Sequence, residues 1–203
     1  MLLTKKTRQQ YLRYLGYYKG AIDGKVGPKT KAAYLQLQKD YFFRKKDIDG
    51  VYGKDTDTLL YNAYWVKVLT KDFDLKSELS CGCGGKYCTG YPVKYNKNAL
   101  IYLQDFRDEH GPTTVTSPAR CKKYNNSLDG SSKTSLHMDG RAWDVYADKA
   151  CSTAAKRKST IDKYILKAKA NYAYANGYGR TKKKTTYPKA PNMGKSIHID
   201  VKK

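Results

Sequence analysis

The residues of this chain best suited to chemistry lie in two short stretches. The first is Ser135-Leu-His137-Met-Asp139-Gly140-Arg-Ala142-Trp-Asp144, and the second is His198-Ile-Asp200. The chain has 3 histidines, and two of them stand here, each with an aspartate nearby. His137, Asp144 and His198 together make a two-histidine, one-carboxylate set. Such a set can hold Zn2+ through three protein atoms and leave a fourth position open, the arrangement of a hydrolytic rather than a structural zinc centre. One His–Asp pair alone would read as an ordinary hydrogen-bonded histidine. Two pairs, with Gly and Ala spaced between the candidate ligands, favour a metal.

The elements that must position these groups read as strands, on which side chains alternate faces. Gly140, Ala142 and Asp144 would share one face, and the two small residues would leave room beside the carboxylate. His198 and Asp200 would likewise share a face, with Ile197, Ile199 and Val201 turned toward a core. Strand pairing can bring Asp144 beside His198 despite the distance between them in sequence.

The pattern Ser-x-His-x-x-Gly-x-Ala-x-Asp followed by a late His-x-Asp resembles the zinc peptidases of the D-Ala-D-Ala carboxypeptidase superfamily. That group includes VanY-like carboxypeptidases and the L-alanyl-D-glutamate endopeptidases of phage lysins. The match runs from about Phe73 to Val201. The resemblance implies that His137, Asp144 and His198 bind zinc. It also implies an upstream arginine after a Ser-x-x-Arg turn that holds a substrate carboxylate or the oxyanion, and Ser117-Pro-Ala-Arg120 fits. A guanidinium suits that role because its planar fork grips a carboxylate with two parallel bonds. In a chain this rich in Lys and Arg, only the motif position separates Arg120 from a solvated surface charge.

Zinc hydrolysis also needs a general base for the attacking water. Several relatives carry Glu or Asp three residues before the last histidine, and others carry His two residues before it. Here those positions are Lys195 and Ser196, a departure from both patterns. Asp200 is the best local candidate, with orientation of a histidine ring from behind as the equal alternative. Asp139 follows at a distance, since it reads as part of the turn between ligands. His110, in Glu109-His-Gly-Pro, reads as a helix-end or surface residue.

The first third of the chain holds an internal repeat. Ile22-Asp23-Gly24-x-x-Gly27-x-x-Thr30 recurs as Ile48-Asp49-Gly50-x-x-Gly53-x-x-Thr56. In each copy Asp-Gly marks a turn and the run after the second Gly starts a helix, with Pro28 suited to a first turn. With a leading helix from about Thr4 to Leu15, the result is a small three-helix domain. It resembles the peptidoglycan-binding domain often fused to wall hydrolases, through Leu15-Gly16-Tyr17-Tyr18, Asp23-Gly24-Lys-Val-Gly27-Pro28-Lys-Thr30 and Asp49-Gly50-Val-Tyr-Gly53. Some tyrosines near the turns could stack on sugar rings, although most of the 20 are expected in the core or at its rim.

The remainder reads as helices beside an antiparallel sheet, an α+β fold. Apolar spacing predicts helices over about Asn96–Glu109 and Thr160–Ala175, and Thr113–Thr116 reads as a strand. The expected organisation is a peptidoglycan-binding helical domain over 1–70, a linker over 71–80 and an antiparallel-sheet zinc peptidase domain with flanking helices over 81–203.

The net charge is +22, and both parts contribute: residues 1–75 hold 15 basic and 8 acidic residues, the rest 25 and 10. Such a balance favours anionic partners, either wall polymers such as teichoic acids or nucleic acid. Zinc-finger spacing, an RNA-recognition motif and a long basic helix are all missing, which argues against specific nucleic-acid binding. The dense run Lys182-Lys183-Lys184 reads as solvated surface. Cys81, Cys83 and Cys88 cluster in a glycine-rich stretch, with Cys121 and Cys151 apart. Three clustered thiolates and a distant fourth could hold a structural zinc; disulfides or free thiols are the alternatives. A similar cluster in some related peptidase domains implies a structural role.

No secretory signal or membrane-spanning stretch is visible. For a wall enzyme this points to a phage-type endolysin, made in the cytoplasm and released through a membrane lesion, although a mature secreted form would look the same. The sequence as a whole predicts a modular zinc peptidase acting on bacterial peptidoglycan. A wall-binding protein with weak or no catalysis is the runner-up, kept open by Lys195 and Ser196.

Overall fold

Thr4 is extended, and its side-chain oxygen accepts from the Thr7 amide, so the chain enters α1 (Lys5–Tyr14) through an N-cap. The computed structural model describes the backbone of residues 1–203 and the side chains of all but Pro191. Pro28 opens α2 (Pro28–Tyr41), where its missing N–H leaves no helical bond unmade. Gly53 precedes α3 (Lys54–Leu69). Leu12, Leu37, Leu59 and Leu60 are fully buried where these three helices meet.

Each copy of the repeat is locked by one buried glutamine. Gln9 Nε2 donates to Asp23 Oδ1 at 3.0 Å and the Lys25 carbonyl at 2.9 Å, while Gln9 Oε1 accepts from the Gly24 amide at 2.8 Å. Gln38 repeats the pattern on Asp49 Oδ1, the Val51 carbonyl and the Gly50 amide. In both turns the aspartate also caps the amide two residues on, Lys25 at 2.9 Å and Val51 at 2.8 Å.

Residues 71–80 are packed. Phe73, Leu75 and Leu79 enter the core. Asn62 of α3 then clamps the following segment, donating to the Val93 carbonyl and accepting from the Tyr95 amide, each at 2.9 Å.

Asn96 caps α4 (Lys97–His110). The sheet that follows is wholly antiparallel, in the order β1-β2-β6-β3-β4-β5. Its strands are β1 (Thr114–Ser117), β2 (Ala142–Tyr146), β3 (Ala170–Ala175), β4 (Tyr178–Thr181), β5 (Thr185–Thr186) and β6 (Ile197–Val201). Three helices complete the domain: α5 (Lys122–Asn126), α6 (Asp148–Cys151) and α7 (Ala154–Leu166). The chain is thus α+β, with an N-terminal helical domain and then a sheet domain. Trp143, Val145, Ile197 and Ile199 are buried in the core, and the Trp143 indole N–H donates to the Ala99 carbonyl of α4 at 3.0 Å.

Three sequence expectations are corrected. The helix expected over 160–175 is α7, which starts earlier, behind the Thr153 cap, and ends at Leu166. Ala168 and Tyr172 happen to continue its apolar phase, but Ala170–Ala175 is the strand β3, because pairing with β4 and β6 satisfies its backbone on both sides. His137 is not on a strand; it lies in a short 3-10 turn, Leu136–Asp139. Gly140 is not on a strand either, but takes left-handed backbone (φ 64°) after that turn. A Cβ there would stand 2.5 Å from the Lys94 carbonyl oxygen, so glycine is required for both conformation and close approach.

Candidate metal centre

The register of two strands builds most of the centre. Asp144 on β2 pairs directly with His198 on β6, and Ala142 with Asp200. On the other side of β6, His198 pairs with Tyr174 of β3. The 3-10 turn hangs His137 over this row, with the Gly140 bend returning the chain into β2. The Arg120 amide donates to the His137 carbonyl at 3.0 Å, which ties the Ser117–Arg120 turn to the same loop.

Three atoms converge. His198 Nδ1 lies 2.7 Å from Asp144 Oδ1, His137 Nε2 lies 3.2 Å from the same oxygen, and the two ring nitrogens are 3.2 Å apart. All three residues are buried. The nitrogen of each ring that faces away from the cluster has its own acceptor. His137 Nδ1 is 2.9 Å from the Pro118 carbonyl oxygen, so it must donate there. His198 Nε2 is 3.2 Å from Asp200 Oδ2 and donates to it. With those N–H bonds assigned, the inward nitrogen of each ring carries a lone pair whenever that ring is neutral, aimed toward the other ring and a carboxylate oxygen. Three electron-rich atoms buried at such distances fit a cation, and a donor set of two imidazoles and one carboxylate suits Zn2+.

The electrostatics follow from the same crowding. Burial works against a charged His198, but hydrogen bonds and charges from Asp144 and Asp200 outweigh it and raise its pKa to about 9. His137, with burial dominant, is shifted below its ordinary value despite Asp144. Burial would raise the Asp144 carboxyl, but the two histidines hold it well below the usual carboxylate range.

Arg120 is largely buried, its side chain 11% exposed. Its Nε donates to Ser117 Oγ at 3.0 Å, Nη1 to Asn125 Oδ1 at 3.2 Å and Nη2 to Asp144 Oδ2 at 3.4 Å. These three bonds leave two of its five N–H groups for another partner. Asp200 faces the outer side of His198, and its other oxygen accepts from Asn171 Nδ2 at 2.8 Å and the Tyr172 amide at 2.9 Å. Asp139 is 57% exposed and stands 3.8 Å from Arg141. Ser196 is buried, its hydroxyl accepting from Thr116 Oγ1 at 2.9 Å. His110 is only 12% exposed and packs edge-on against Phe106, away from the cluster.

Sequence reasoning missed Tyr174. Its ring stacks on His198, with centroids 4.7 Å apart, and burial with the nearby Asp144 charge raises its hydroxyl pKa to about 12. The signal was present in the alternation of Asn171-Tyr172-Ala173-Tyr174-Ala175, a strand pattern hidden by the apparent helical phase.

Two members of the buried His–Asp–His cluster stand on paired antiparallel strands and the third on a 3-10 turn, with Arg120 beside them, an arrangement that could hold a metal ion. The family model for Peptidase M15 matches residues 71–185, more than half of the chain, and the chain belongs to that family, whose members are metallopeptidases. The model for a peptidoglycan-binding domain matches residues 6–60. No curated protein matches the chain.

Proposed function

We propose that this protein is a zinc-dependent peptidase that cuts the peptide stems of bacterial peptidoglycan, as an L-Ala–D-Glu endopeptidase or a D-Ala-D-Ala carboxypeptidase. The observation that carries this reading is the convergence of His137 Nε2, Asp144 Oδ1 and His198 Nδ1, with both rings anchored from behind so that their lone pairs point inward. These three residues would hold the ion. When bound, Zn2+ supplies Lewis-acid polarisation of a peptide carbonyl and lowers the pKa of a water. Arg120, with two N–H groups to spare, grips a substrate carboxylate or steadies the developing oxyanion. Tyr174 walls the site beside His198.

Of the two roles open to Asp200, orienting the His198 ring is the better supported, because its carboxylate lies on the ring's outer nitrogen. In this reading residues 1–70 bind the wall, 71–80 join the two units and 81–203 cut. The helical domain offers a groove of about 490 Å³ between its first two helices and the second Asp-Gly turn, lined by Arg8, Lys31, Tyr34, Asp49, Val51 and Tyr52. The positive charge of the chain adds attraction to anionic wall polymers. Action at the cell wall fits an endolysin, and no helix among the described residues is long and apolar enough to cross a membrane.

The runner-up, a wall-binding protein with weak or no catalysis, is favoured by one observation: neither Lys195, Ser196 nor the engaged Asp200 offers an evident general base at the inner face of the cluster. Mass spectrometry of soluble products from purified peptidoglycan, with and without a zinc chelator, separates the two readings. Chelator-sensitive products are expected, and their new ends name the bond. An absence of products, despite bound zinc and retained wall binding, establishes the runner-up.

A further inference from the structure

Four of the five cysteines converge at a second place, away from the His–Asp–His cluster. Cys81, Cys83 and Cys88 lie on one glycine-rich loop, and Cys121 arrives from the N-cap of α5. Their four sulfurs all lie within 4.8 Å of one another, and Cys83 Sγ is 3.5 Å from Cys88 Sγ. A tetrahedral zinc with Zn–S bonds of about 2.3 Å needs its sulfurs roughly 3.8 Å apart. A disulfide needs about 2.05 Å and joins sulfurs in pairs, whereas here each sulfur has all three others as neighbours.

The surrounding backbone is arranged for thiolates. The Cys121 amide points at Cys81 Sγ and the Tyr124 amide at Cys121 Sγ, each at 3.4 Å. Gly84 and Gly85 both take positive φ, 55° and 87°, and turn the chain back between Cys83 and Cys88. Two further bonds, Gly84 N–H to the Cys81 carbonyl and Lys86 N–H to the Cys83 carbonyl, brace that turn. Cys151 takes no part; it is buried elsewhere and directs its thiol at the Val145 carbonyl.

We propose that Cys81, Cys83, Cys88 and Cys121 bind a second zinc ion in a closed, four-thiolate structural site. All four coordination positions are protein sulfurs, so this ion has no opening for water or substrate. Binding displaces the thiol protons to solvent and leaves a doubly negative centre, in a chain whose net charge is strongly positive.

Its role is to staple three segments. The Cys loop carries Gly85 and Gly90, which lie so close to the Phe43 side chain just past α2 that an added Cβ would meet it at 2.7 Å (its Cβ at Gly85, its ring at Gly90), and the Phe43 amide donates to the Thr89 carbonyl at 3.3 Å. Cys121 directly follows Arg120, whose guanidinium reaches Asp144. The ion therefore fixes the helical domain's edge and the arginine's main chain to one loop. The cysteines are positioning residues and touch no substrate.

The test is metal counting on the full chain, purified under reducing conditions with Zn2+ supplied. About two zinc ions per chain are expected. His137→Ala is expected to keep one, and the paired change Cys83→Ser with Cys88→Ser to keep the other. Co2+ exchanged into His137→Ala is expected to give intense thiolate-to-metal charge-transfer absorption of the strength of a four-thiolate site, a readout that needs the clustered cysteines and no activity. Cys151→Ala in that background is expected to leave the spectrum unchanged. A reduced, folded His137→Ala chain that retains no zinc and gives no such absorption with Co2+ overturns the proposal. So does an isolated chain whose mass lacks two hydrogens for each of two cysteine pairs. Neither result bears on whether the His–Asp–His centre hydrolyses peptide.

Discussion

Asp200 Oδ2 lies 3.2 Å from His198 Nε2, the ring nitrogen that faces away from Asp144 and His137. The carboxylate thus sits behind the histidine, and its other oxygen is held by Asn171 and the Tyr172 amide. A general base belongs on the inner face, near the attacking water; a carboxylate behind the ring instead fixes its tautomer and raises its basicity.

Replacing Asp200 by Asn separates these roles. The amide oxygen can still accept from the ring, but the negative charge is gone. We expect zinc affinity to fall about 10–100-fold, with most activity returning at saturating zinc. Competition against a chelating indicator dye measures the affinity. Unchanged affinity, with a loss of about 100-fold or more in kcat that zinc does not restore, would make Asp200 the base after all.

His137→Ala removes one of the three converging donors. Hydrolysis of peptidoglycan should be abolished, while co-sedimentation with purified walls stays within about twofold of wild type, because the helical domain that the peptidoglycan-binding model matches is left intact. Loss of wall binding in a variant with a native circular dichroism spectrum would contradict the modular reading.

The local features were the legible ones. The Asp23-Gly24 and Asp49-Gly50 turns and the three helices of the first domain follow from residues close in sequence. The same holds for the alternation of Ile197, Ile199 and Val201 against His198 and Asp200. What escaped depends on distant partners. Gln9 and Gln38 look like ordinary helix surface residues until the turns fold back onto them. Tyr174 was concealed because Ile161, Tyr164, Ile165, Ala168 and Tyr172 share one helical phase across a real helix end at Leu166. The placement of Gly140 on a strand failed because close approach to the Lys94 carbonyl, a tertiary contact, dictates its left-handed backbone.

Acid should weaken the fold partly through Asp57. Its side chain is 2% exposed and 2.6 Å from Lys94 Nζ, and its Oδ1 accepts from the Leu3 amide and the Tyr52 hydroxyl, each at 2.7 Å. Burial alone would raise its pKa, but Lys94, Tyr52 and Leu3 outweigh burial and hold it below the ordinary value. A depressed folded-state pKa adds stability above the unfolded pKa of about 4, and that stability disappears as pH falls through the folded value. Asp57→Ala should therefore cost roughly 1–3 kcal/mol at pH 7. The gap between variant and wild type in urea midpoint should narrow below about pH 4. A gap that is constant from pH 7 to pH 3 would mean that the carboxylate's charge contributes nothing.

Gln38 offers a test of where the helical domain meets the wall. Its amide is buried and engages Asp49, Gly50, Val51 and Thr56, so it holds the second Asp-Gly turn in place. Leucine has similar bulk but no polar atoms, and Gln38→Leu would take the shared acceptor from the Asp49 and Gly50 amides, while the Val51 carbonyl keeps the Thr56 hydroxyl. Unsatisfied buried groups cost about 1–3 kcal/mol each, so thermal unfolding should begin several degrees lower. Asp49, Val51 and Tyr52 line the groove of the helical domain, so affinity for purified walls should fall with the loosened turn. On the proposed division of labour, cleavage of a soluble stem peptide should be unchanged at temperatures where the variant stays folded. If wall affinity holds while the unfolding midpoint drops, the groove beside the second Asp-Gly turn is not the surface that meets the polymer.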